Sequence, residues 1–299
     1  MRARRDAALR LQKMMLVASL AIPAAIFSYV SWVAYHSAFA HADEQLATRL
    51  GIVSEHAHKI FQSVDLTFTS VEAIAGDLTE DQIRASEQDL HSKLAKLEKA
   101  INAIDGILII DRSGKPLVSS AVYPVPDRAG VADRDYFLAQ KDKDAGIYVG
   151  ELLQPRVRKE PFFGVSRRRP LVNGEFNGIV MVAVTPTAFS EFYKQLADDS
   201  ETGFSLARRD GVILARYPAP SAGVARFGPN SGFMRNVTDR PYGGIVTSHD
   251  SLDGVTRRIG YRQLGYADIY VSDGINEHVI IAEWLRAMTA HSVTACQGV

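Results

Sequence analysis

Arg134 is a candidate clamp for a carboxylate, and it stands in the run Asp133-Arg-Asp-Tyr-Phe137. A guanidinium is a planar fork that can donate two parallel hydrogen bonds to one carboxylate. A structural salt bridge to Asp133, Asp135 or another acid is the alternative use, and the sequence leaves both open. The neighbouring Tyr136 and Phe137 are either ligand contacts or core side chains.

A second group of candidate residues lies on the predicted strand Phe162-Phe-Gly-Val-Ser-Arg167. Alternate side chains of a strand point to one face, and Phe163 and Ser166 are candidate ligand contacts on this strand. Arg167 is a candidate second clamp for a carboxylate. The basic run that it begins is otherwise a solvated strand end. A nucleic-acid partner is not expected, because 34 basic and 34 acidic residues give a net charge of zero.

Motifs of catalytic and metal chemistry are absent from the sequence. It contains no G-x-S-x-G, P-loop, H-E-x-x-H or Rossmann glycine pattern. His56 and His58 are two positions apart on a predicted helix, so they face different sides and do not share a metal ion. Cys296 is the single cysteine, which excludes an internal disulfide and a multi-cysteine metal site. We therefore expect no catalytic residue, no metal and no cofactor.

An apolar segment near the N-terminus predicts a membrane anchor. Residues 14–35 carry no charge, and about 22 such residues can cross a hydrocarbon core of ~30 Å. Five basic residues precede the segment and none follows immediately, which places the N-terminus in the cytoplasm. The alternative is a cleaved signal peptide ending at Ala38-Phe39-Ala40, although the apolar run exceeds the usual length. We expect a single-pass inner-membrane protein with most of the chain in the periplasm.

Two predicted helices follow the anchor. The first has apolar residues at alternating spacings of four and three, which mark one helical face: Leu46, Leu50, Val53, Ala57, Ile60, Val64, Phe68 and Val71. The second begins after Gly76, where Thr79 and Gln82 form a capping box, and its stripe continues to Ile104. These stripes either pack on the rest of the chain or, for the first helix, form a homodimeric coiled coil.

A repeated hairpin indicates two similar modules in tandem. The short apolar strand from Gly106 to Asp111 is followed by an Asp-Arg-Ser-Gly turn and a returning strand. The same pattern begins again at Gly203, 97 positions later. Each half also ends in a longer strand, and residues 187–199 read as the helix between the halves.

The predicted fold class is α+β: a long N-terminal helix that carries two antiparallel-sheet modules in tandem, preceded by one transmembrane helix. The expected segments are a cytoplasmic N-terminus (1–13), a transmembrane helix (14–35), a helical stalk (36–104), a membrane-distal module (105–187), a linker helix (188–202), a membrane-proximal module (203–275) and a C-terminal tail (276–299). The tail is too charged and too short in its apolar part to span a membrane, so a second transmembrane helix is expected to be absent or truncated.

Over residues 14–280 this arrangement resembles the double Cache family, the tandem PAS-like extracytoplasmic sensor regions of bacterial histidine kinases, diguanylate cyclases and chemoreceptors. The anchor, the long helix and the Asp-x-x-Gly hairpin carry the resemblance, together with four segments: Asp133-Arg-Asp-Tyr-Phe137, Gly146-Ile-Tyr-Val-Gly150, Phe162-Phe-Gly-Val-Ser-Arg167 and Gly178-Ile-Val-Met-Val-Ala-Val184. The resemblance implies that the distal module binds the ligand.

In one large subset of that family, amino acids are bound by a Tyr, an Arg-x-Trp-Tyr motif, a later Tyr and an Asp on the last strand. The resemblance implies Tyr123 as the first Tyr, Arg134 with its aromatic neighbours as the motif, and Tyr148 as the later Tyr. Ala183 stands where the Asp would be. An ammonium group then lacks a counter-charge, and a buried unpaired charge is costly.

We therefore expect a sensor domain for a small organic acid, without its output domain. The alternative is an anchored periplasmic module that regulates a membrane partner through its helices and has a vestigial pocket.

Overall fold

A computed structural model describes residues 2–126, 129–154, 160–172, 174–197, 202–219, 225–249 and 254–297. Its first element, α1, is one helix, Arg2–Ala75. One of the helices in these ranges is long and apolar enough to cross a membrane; its best 18-residue stretch has a mean hydropathy of 1.9 and is not buried in the protein. Large side chains such as Met14 and Leu20 are exposed there, which suits a hydrocarbon environment.

The part of α1 that follows the apolar segment forms the spine of the fold. All eight residues of the first apolar stripe, from Leu46 to Val71, are buried. Most of them belong to one core cluster with strands of both sheets, including Ile107 and Val271. The stripe is thus used in packing within the chain. The homodimer predicted along the first helix stays a prediction, and these residues are not a free surface for it.

The second predicted helix is divided in two. α2 (Glu80–Ala85) begins at the capping box of Thr79 and Gln82, which confirms the predicted start. α3 (Glu87–Lys99) follows Ser86 and ends before the predicted stripe does. The stripe's last residue, Ile104, is the first residue of a strand. Helix and strand both turn apolar residues to the same core here, so the spacing alone did not reveal the change of element.

The distal module is a five-stranded antiparallel sheet with the order β2-β1-β5-β4-β3. Its strands are β1 (Ile104–Ile110), β2 (Pro116–Ser119), β3 (Tyr148–Leu153), β4 (Phe162–Arg168) and β5 (Ile179–Val184). A short helix, α4 (Asp135–Asp142), lies between β2 and β3 in the chain and packs on the sheet. The predicted hairpin is β1 paired with β2.

The proximal module repeats this architecture with the order β7-β6-β10-β9-β8. Helix α5 (Thr187–Leu196) precedes it. The other elements are β6 (Thr202–Arg208), β7 (Ile213–Tyr217), α6 (Gly232–Asp239), β8 (Gly243–Ser248), β9 (Arg257–Gln263) and β10 (Ile269–Asn276). Two separate sheets with matching strand orders confirm the tandem repeat and the predicted fold class.

The last element is a helix, α7 (Glu277–Gln297), where the sequence analysis expected a tail. It lies against the apolar N-terminal part of α1. The indole Nε1 of Trp284 donates a hydrogen bond of 3.1 Å to the carbonyl oxygen of Ser31, and the Trp284 ring meets Tyr35 edge-on. The two helices therefore leave the proximal module side by side.

Candidate ligand-binding site of the distal module

A cavity of about 110 Å³ lies between the distal sheet, the start of α4 and the loop that joins β2 to α4. Most of its wall is apolar, with polar groups from four residues. The lining residues are Asp105, Gly106, Leu108, Pro116, Ser119, Ala121, Val122, Val125, Pro126, Ala129, Val131, Arg134, Tyr136, Phe162, Met181 and Ala183. For scale, an apolar protein cavity of about 150 Å³ holds benzene. The distal cavity suits a ligand of that size or smaller.

The hairpin turn fixes the loop that covers this cavity. One carboxylate oxygen of Asp111 accepts hydrogen bonds from the backbone N–H groups of Ser113 and Lys115, each 2.8 Å long. Gly114 follows with φ +87°, a left-handed conformation that favours glycine. The Gly114 carbonyl accepts a 2.8 Å hydrogen bond from the Val131 N–H. The turn that was predicted from the sequence thus also positions Val131, which lines the cavity.

Arg134 stands at the edge of the cavity as the N-cap residue of α4. Its guanidinium makes one hydrogen bond to other described residues, a long one of 3.5 Å to the carbonyl oxygen of Gln154. The neighbouring Asp135 is engaged elsewhere: its carboxylate accepts from the Tyr136 and Glu151 N–H groups at 2.8 and 2.7 Å. The alternative of a structural salt bridge for Arg134 is therefore not found among the described residues.

Asp105 is a lining residue that the sequence analysis missed. It is half-buried on β1, next to Gly106, and Gly106 pairs directly with Ala183. A carboxylate from the adjacent strand thus lines the same cavity as Ala183. The expectation that an ammonium group lacks a counter-charge here stays a prediction. An isolated Asp within the apolar strand Ile-Asp-Gly-Ile-Leu-Ile-Ile was the available signal.

Of the other predicted site residues, only Tyr136 lines this cavity. Phe137 is buried in the core against Phe176, with 5.9 Å between ring centroids. Ser166 faces α4, and its hydroxyl donates to the Tyr136 carbonyl at 2.8 Å. Phe163 packs on the opposite face of the sheet, in the α1 core. Ser166 and Phe163 are three positions apart on β4, and an odd spacing puts them on opposite faces.

Two further candidates, Arg167 and Tyr123, contact protein groups outside the cavity. Arg167 pairs with Glu72 of α1 at 2.9 Å, and its guanidinium lies 5.1 Å from the centroid of the Phe68 ring. Tyr123 lies on the covering loop, is about half exposed and packs near the His91 ring, 5.5 Å between centroids.

Tyr148 stands at the junction of the two modules. Its ring lies under the guanidinium of Arg208 from β6, which also donates 2.9 Å to the Val149 carbonyl. Arg208 lies 3.6 Å from the Asp135 carboxylate as well. Burial raises the pKa of Tyr148, and the charge of Arg208 opposes this only in part. Arg208 thus connects the proximal sheet to the residue that follows Arg134.

The comparisons with known proteins agree with this architecture. Residues 186–274 match the family model of dCache_1-like histidine kinase sensor domains. Among solved structures, the extracellular domain of a protein described as a histidine kinase, rpHK1S-Z16, superposes with a TM-score of 0.66 at 23% identity; the match covers 81% of this chain and 98% of that one. None of the curated proteins matches the sequence.

Two bacterial chemoreceptors have the same fold. The ligand-binding domain of Campylobacter jejuni Tlp3, in complex with L-valine, has a TM-score of 0.59 at 12% identity, over 83% of this chain and 98% of that one. That of Pseudomonas aeruginosa PAO1 PctB, in complex with L-Arg, has a TM-score of 0.58 at 13% identity, over 79% and 96%. The predicted resemblance is confirmed: residues 186–274 match a double Cache sensor domain in sequence, and the described chain has the double Cache fold.

Proposed function

We propose that this chain is the extracytoplasmic sensing part of a membrane signal-transduction receptor, and that its distal module binds a small carboxylate. The observation that carries the proposal is the guanidinium of Arg134 at the edge of an otherwise apolar cavity. Its one hydrogen bond to the described chain is long, so its fork is available to a ligand. The Tlp3 and PctB domains, which share the fold, bind amino acids, which also carry a carboxylate.

The cavity favours a compact ligand with an apolar body. A volume of about 110 Å³ favours a ligand of about the size of benzene or smaller. Leu108, Val131, Phe162 and Met181 would surround a short aliphatic part of the ligand. The sequence favours organic acids without an ammonium group, whereas Asp105 offers such a group a partner. Both classes share the carboxylate, and experiment must separate them.

The location of the chain supports an external ligand. The basic residues before the apolar part of α1 favour an N-terminus in the cytoplasm, and the sensing modules then lie in the periplasm. A conformational change on ligand binding would be transmitted to the membrane through α1, because both sheets pack on this one helix.

A thermal-shift screen on the full chain in detergent micelles tests the proposal. Ligands that bind the native state raise the melting temperature by mass action. We expect short mono- or dicarboxylic acids or small apolar amino acids to do so. Arg134→Ala should weaken binding about ten- to a hundredfold, since a hydrogen bond to a charged group is worth about 1.5–3 kcal/mol. Arg134→Lys should recover part of the loss, because lysine keeps the charge without the fork.

Arg262→Ala is the matched control, because Arg262 is an exposed arginine on β9 outside the cavity. It should bind as the wild type does. A screen in which no carboxylate raises the melting temperature would favour the alternative, an anchored regulatory module with a vestigial pocket.

A further inference from the structure

We infer that Arg208, the last residue of β6 in the proximal module, positions the ligand site of the distal module by holding Asp135 at the start of α4. This inference rests on the proposed function and adds a residue that lies outside the ligand cavity. The donors of the Arg208 guanidinium are divided between the two modules. Nε and Nη2 donate to the Asp210 carboxylate of its own turn, at 3.1 and 2.7 Å, whereas Nη1 faces the distal module.

Nη1 of Arg208 contacts three groups of the distal module. It donates a 2.9 Å hydrogen bond to the Val149 carbonyl oxygen and a 3.3 Å one to the Tyr148 hydroxyl. It also lies 3.6 Å from Oδ2 of Asp135. The side chain of Arg208 is 17% exposed and that of Asp135 is 28% exposed, so solvent screens this pair only in part. A planar group with several donors can bridge two modules in this way, whereas a lysine ammonium is a single point charge.

Asp135 stands between the two residues through which the start of α4 lines the cavity, Arg134 and Tyr136. Its carboxylate accepts hydrogen bonds from the Tyr136 N–H and from the Glu151 N–H on β3, at 2.8 and 2.7 Å. The first turn of α4 is thus attached to β3 through this one side chain. A displacement of Asp135 would move its two neighbours with it, because the three residues are consecutive in the chain.

Two glycines of the distal sheet make room for the first turn of α4. A Cβ atom on Gly150 would lie 2.8 Å from Oδ1 of Asp135, and one on Gly164 would lie 2.7 Å from Cδ1 of Tyr136. Both distances are too short for a Cβ atom, so a side chain at either position would displace the helix start. Gly150 is the last residue of the segment Gly146-Ile-Tyr-Val-Gly150, and this contact gives it a role. The sheet therefore allows Asp135 one close position, which Arg208 contacts from the other module.

A second ion pair joins the same elements of the two modules. Arg226 of the proximal module donates to the Glu151 carboxylate at 2.7 Å and to the Asp210 carboxylate at 3.4 Å. Asp210 is thus shared by Arg208 and Arg226, and Glu151 returns to Asp135 through its backbone N–H. The side chains of Arg226 and Glu151 are about half exposed, and exposed pairs contribute little to stability. The larger part of the coupling is therefore assigned to Arg208.

Hydrogen exchange of the full chain in detergent micelles, without ligand, tests the positioning. In Arg208→Gln, the amides of Tyr136 and Glu151, which donate to Asp135, should exchange about three- to tenfold faster, because a partly screened ion pair is lost. Arg208→Lys should recover part of the protection, since lysine keeps the charge without the fork. The amides that pair β1 with β5 should keep their protection, which checks that each variant folds.

Arg209→Gln is the matched control. Arg209 is the next residue of the same turn and is exposed, and its backbone N–H donates to the Asp268 carbonyl within the proximal module. The control should leave exchange at Tyr136 and Glu151 unchanged. Arg226→Gln should raise the exchange rate less than Arg208→Gln does. Because Arg226 is about half exposed, this variant provides the same test with less risk to the fold.

Calorimetric titration with sodium propionate and with L-valine measures the effect on ligand binding. Arg208→Gln should bind the probe that the wild type binds about three- to tenfold more weakly. Coupling between two sites is reciprocal, so that probe should also slow exchange of the Gly211 amide, which donates to the Arg208 carbonyl. This slowing should be absent in Arg208→Gln.

Three results would overturn the inference: unchanged exchange at Tyr136 and Glu151 in Arg208→Gln, equally fast exchange in Arg209→Gln, or a probe affinity that Arg208→Gln leaves unchanged. Binding of neither probe to the wild type would count against the proposed carboxylate function. The exchange rates, which are measured without ligand, then decide the inference about Arg208 alone.

Discussion

The distal and proximal modules share one strand order but differ in what their equivalent surfaces present. The distal sheet, α4 and a covering loop enclose an apolar cavity of about 110 Å³. A cleft of about 30 Å³ on the proximal sheet is lined by both polar and apolar side chains, among them Ser205, Ser272 and Phe233. The difference comes from a few strand positions, such as Leu108 against Ser205 and Met181 against Ser272. The two sheets thus share one strand order, and single side chains decide what chemistry their equivalent surfaces offer.

The two sheets also differ in the side chains with which they contact α1. A change at this contact should have the largest effect on stability. Val182 lies in the apolar core that the distal module shares with α1, and the equivalent residue of β10 is Asp273, paired with Arg49. Arg49→Met should lower the free energy of unfolding by about 3–5 kcal/mol, because it removes the guanidinium that is ion-paired with a buried carboxylate. Thermal unfolding of the full chain in detergent measures this.

The control replaces the ion pair of the proximal module by an apolar contact of the kind found in the distal module. The double variant Arg49→Met/Asp273→Val should regain most of the lost stability, since an apolar pair of similar volume often replaces a buried ion pair without cost. A double variant no more stable than Arg49→Met alone would contradict the equivalence of the two contacts.

The two hairpin turns should differ in their tolerance of alanine. Gly114 and Gly211 have φ of +87° and +91°, so an alanine at either costs about 1–3 kcal/mol of backbone strain. A Cβ on Gly114 would also lie 2.7 Å from Cα of Ala132, whereas one on Gly211 meets the flexible Met234 side chain at 2.9 Å. We expect Gly114→Ala to lower the melting temperature more than Gly211→Ala does. The reverse order would show that the loop over the distal cavity shifts at little cost in free energy to accommodate the added methyl group.

Substitution of Asp105 should show which class of ligand the distal cavity binds. Asp105→Asn should weaken binding of a ligand with an ammonium group about tenfold, as expected for the loss of one charge-assisted hydrogen bond. Binding of an acid without an ammonium group should stay equal or strengthen, because a negative charge near the carboxylate is removed. Titration of both classes against wild type and variant measures this. Equal loss for the two classes would mean that Asp105 acts on the fold and not on the ligand.

The smallest effect concerns pH at the contact between α1 and α5. Burial, together with the charge of Lys59, lowers the pKa of His56 from its ordinary value of 6.5. The His56 ring stacks on Phe192 at 3.9 Å. Because the pKa is lower in the folded chain, the unfolded chain takes up the proton first as the pH falls. The free energy of unfolding is therefore at its full value above pH 6.5 and decreases as the pH falls below it. His56→Phe should flatten the fall in melting temperature below pH 6.5, and an unchanged pH profile would contradict this.

The sequence predicted those features of the fold that depend on periodicity and turns. The first stripe of α1, the capping box at Thr79 and the repeated hairpin all rest on local residue patterns, and the structure contains them. The end of the second helix was predicted too late, because the apolar residues that follow α3 continue into β1.

The site was only partly predictable. Arg134 and Tyr136 line the cavity, but Asp105 enters it from a neighbouring strand, and strand neighbours are a tertiary property. Tyr148 is hydrogen-bonded to Arg208, and Arg167 to Glu72; these partners are 60 and 95 positions away in the chain. A local motif identifies the type of side chain, whereas its partner is determined by the packing of distant elements.

A crystal structure of the full chain with the ligand that gives the largest thermal shift would test whether Arg134 binds a carboxylate. We expect density in the distal cavity, with the ligand carboxylate about 2.7–2.9 Å from the guanidinium nitrogens of Arg134. A ligand bound elsewhere, or one whose carboxylate points away from Arg134, would contradict it.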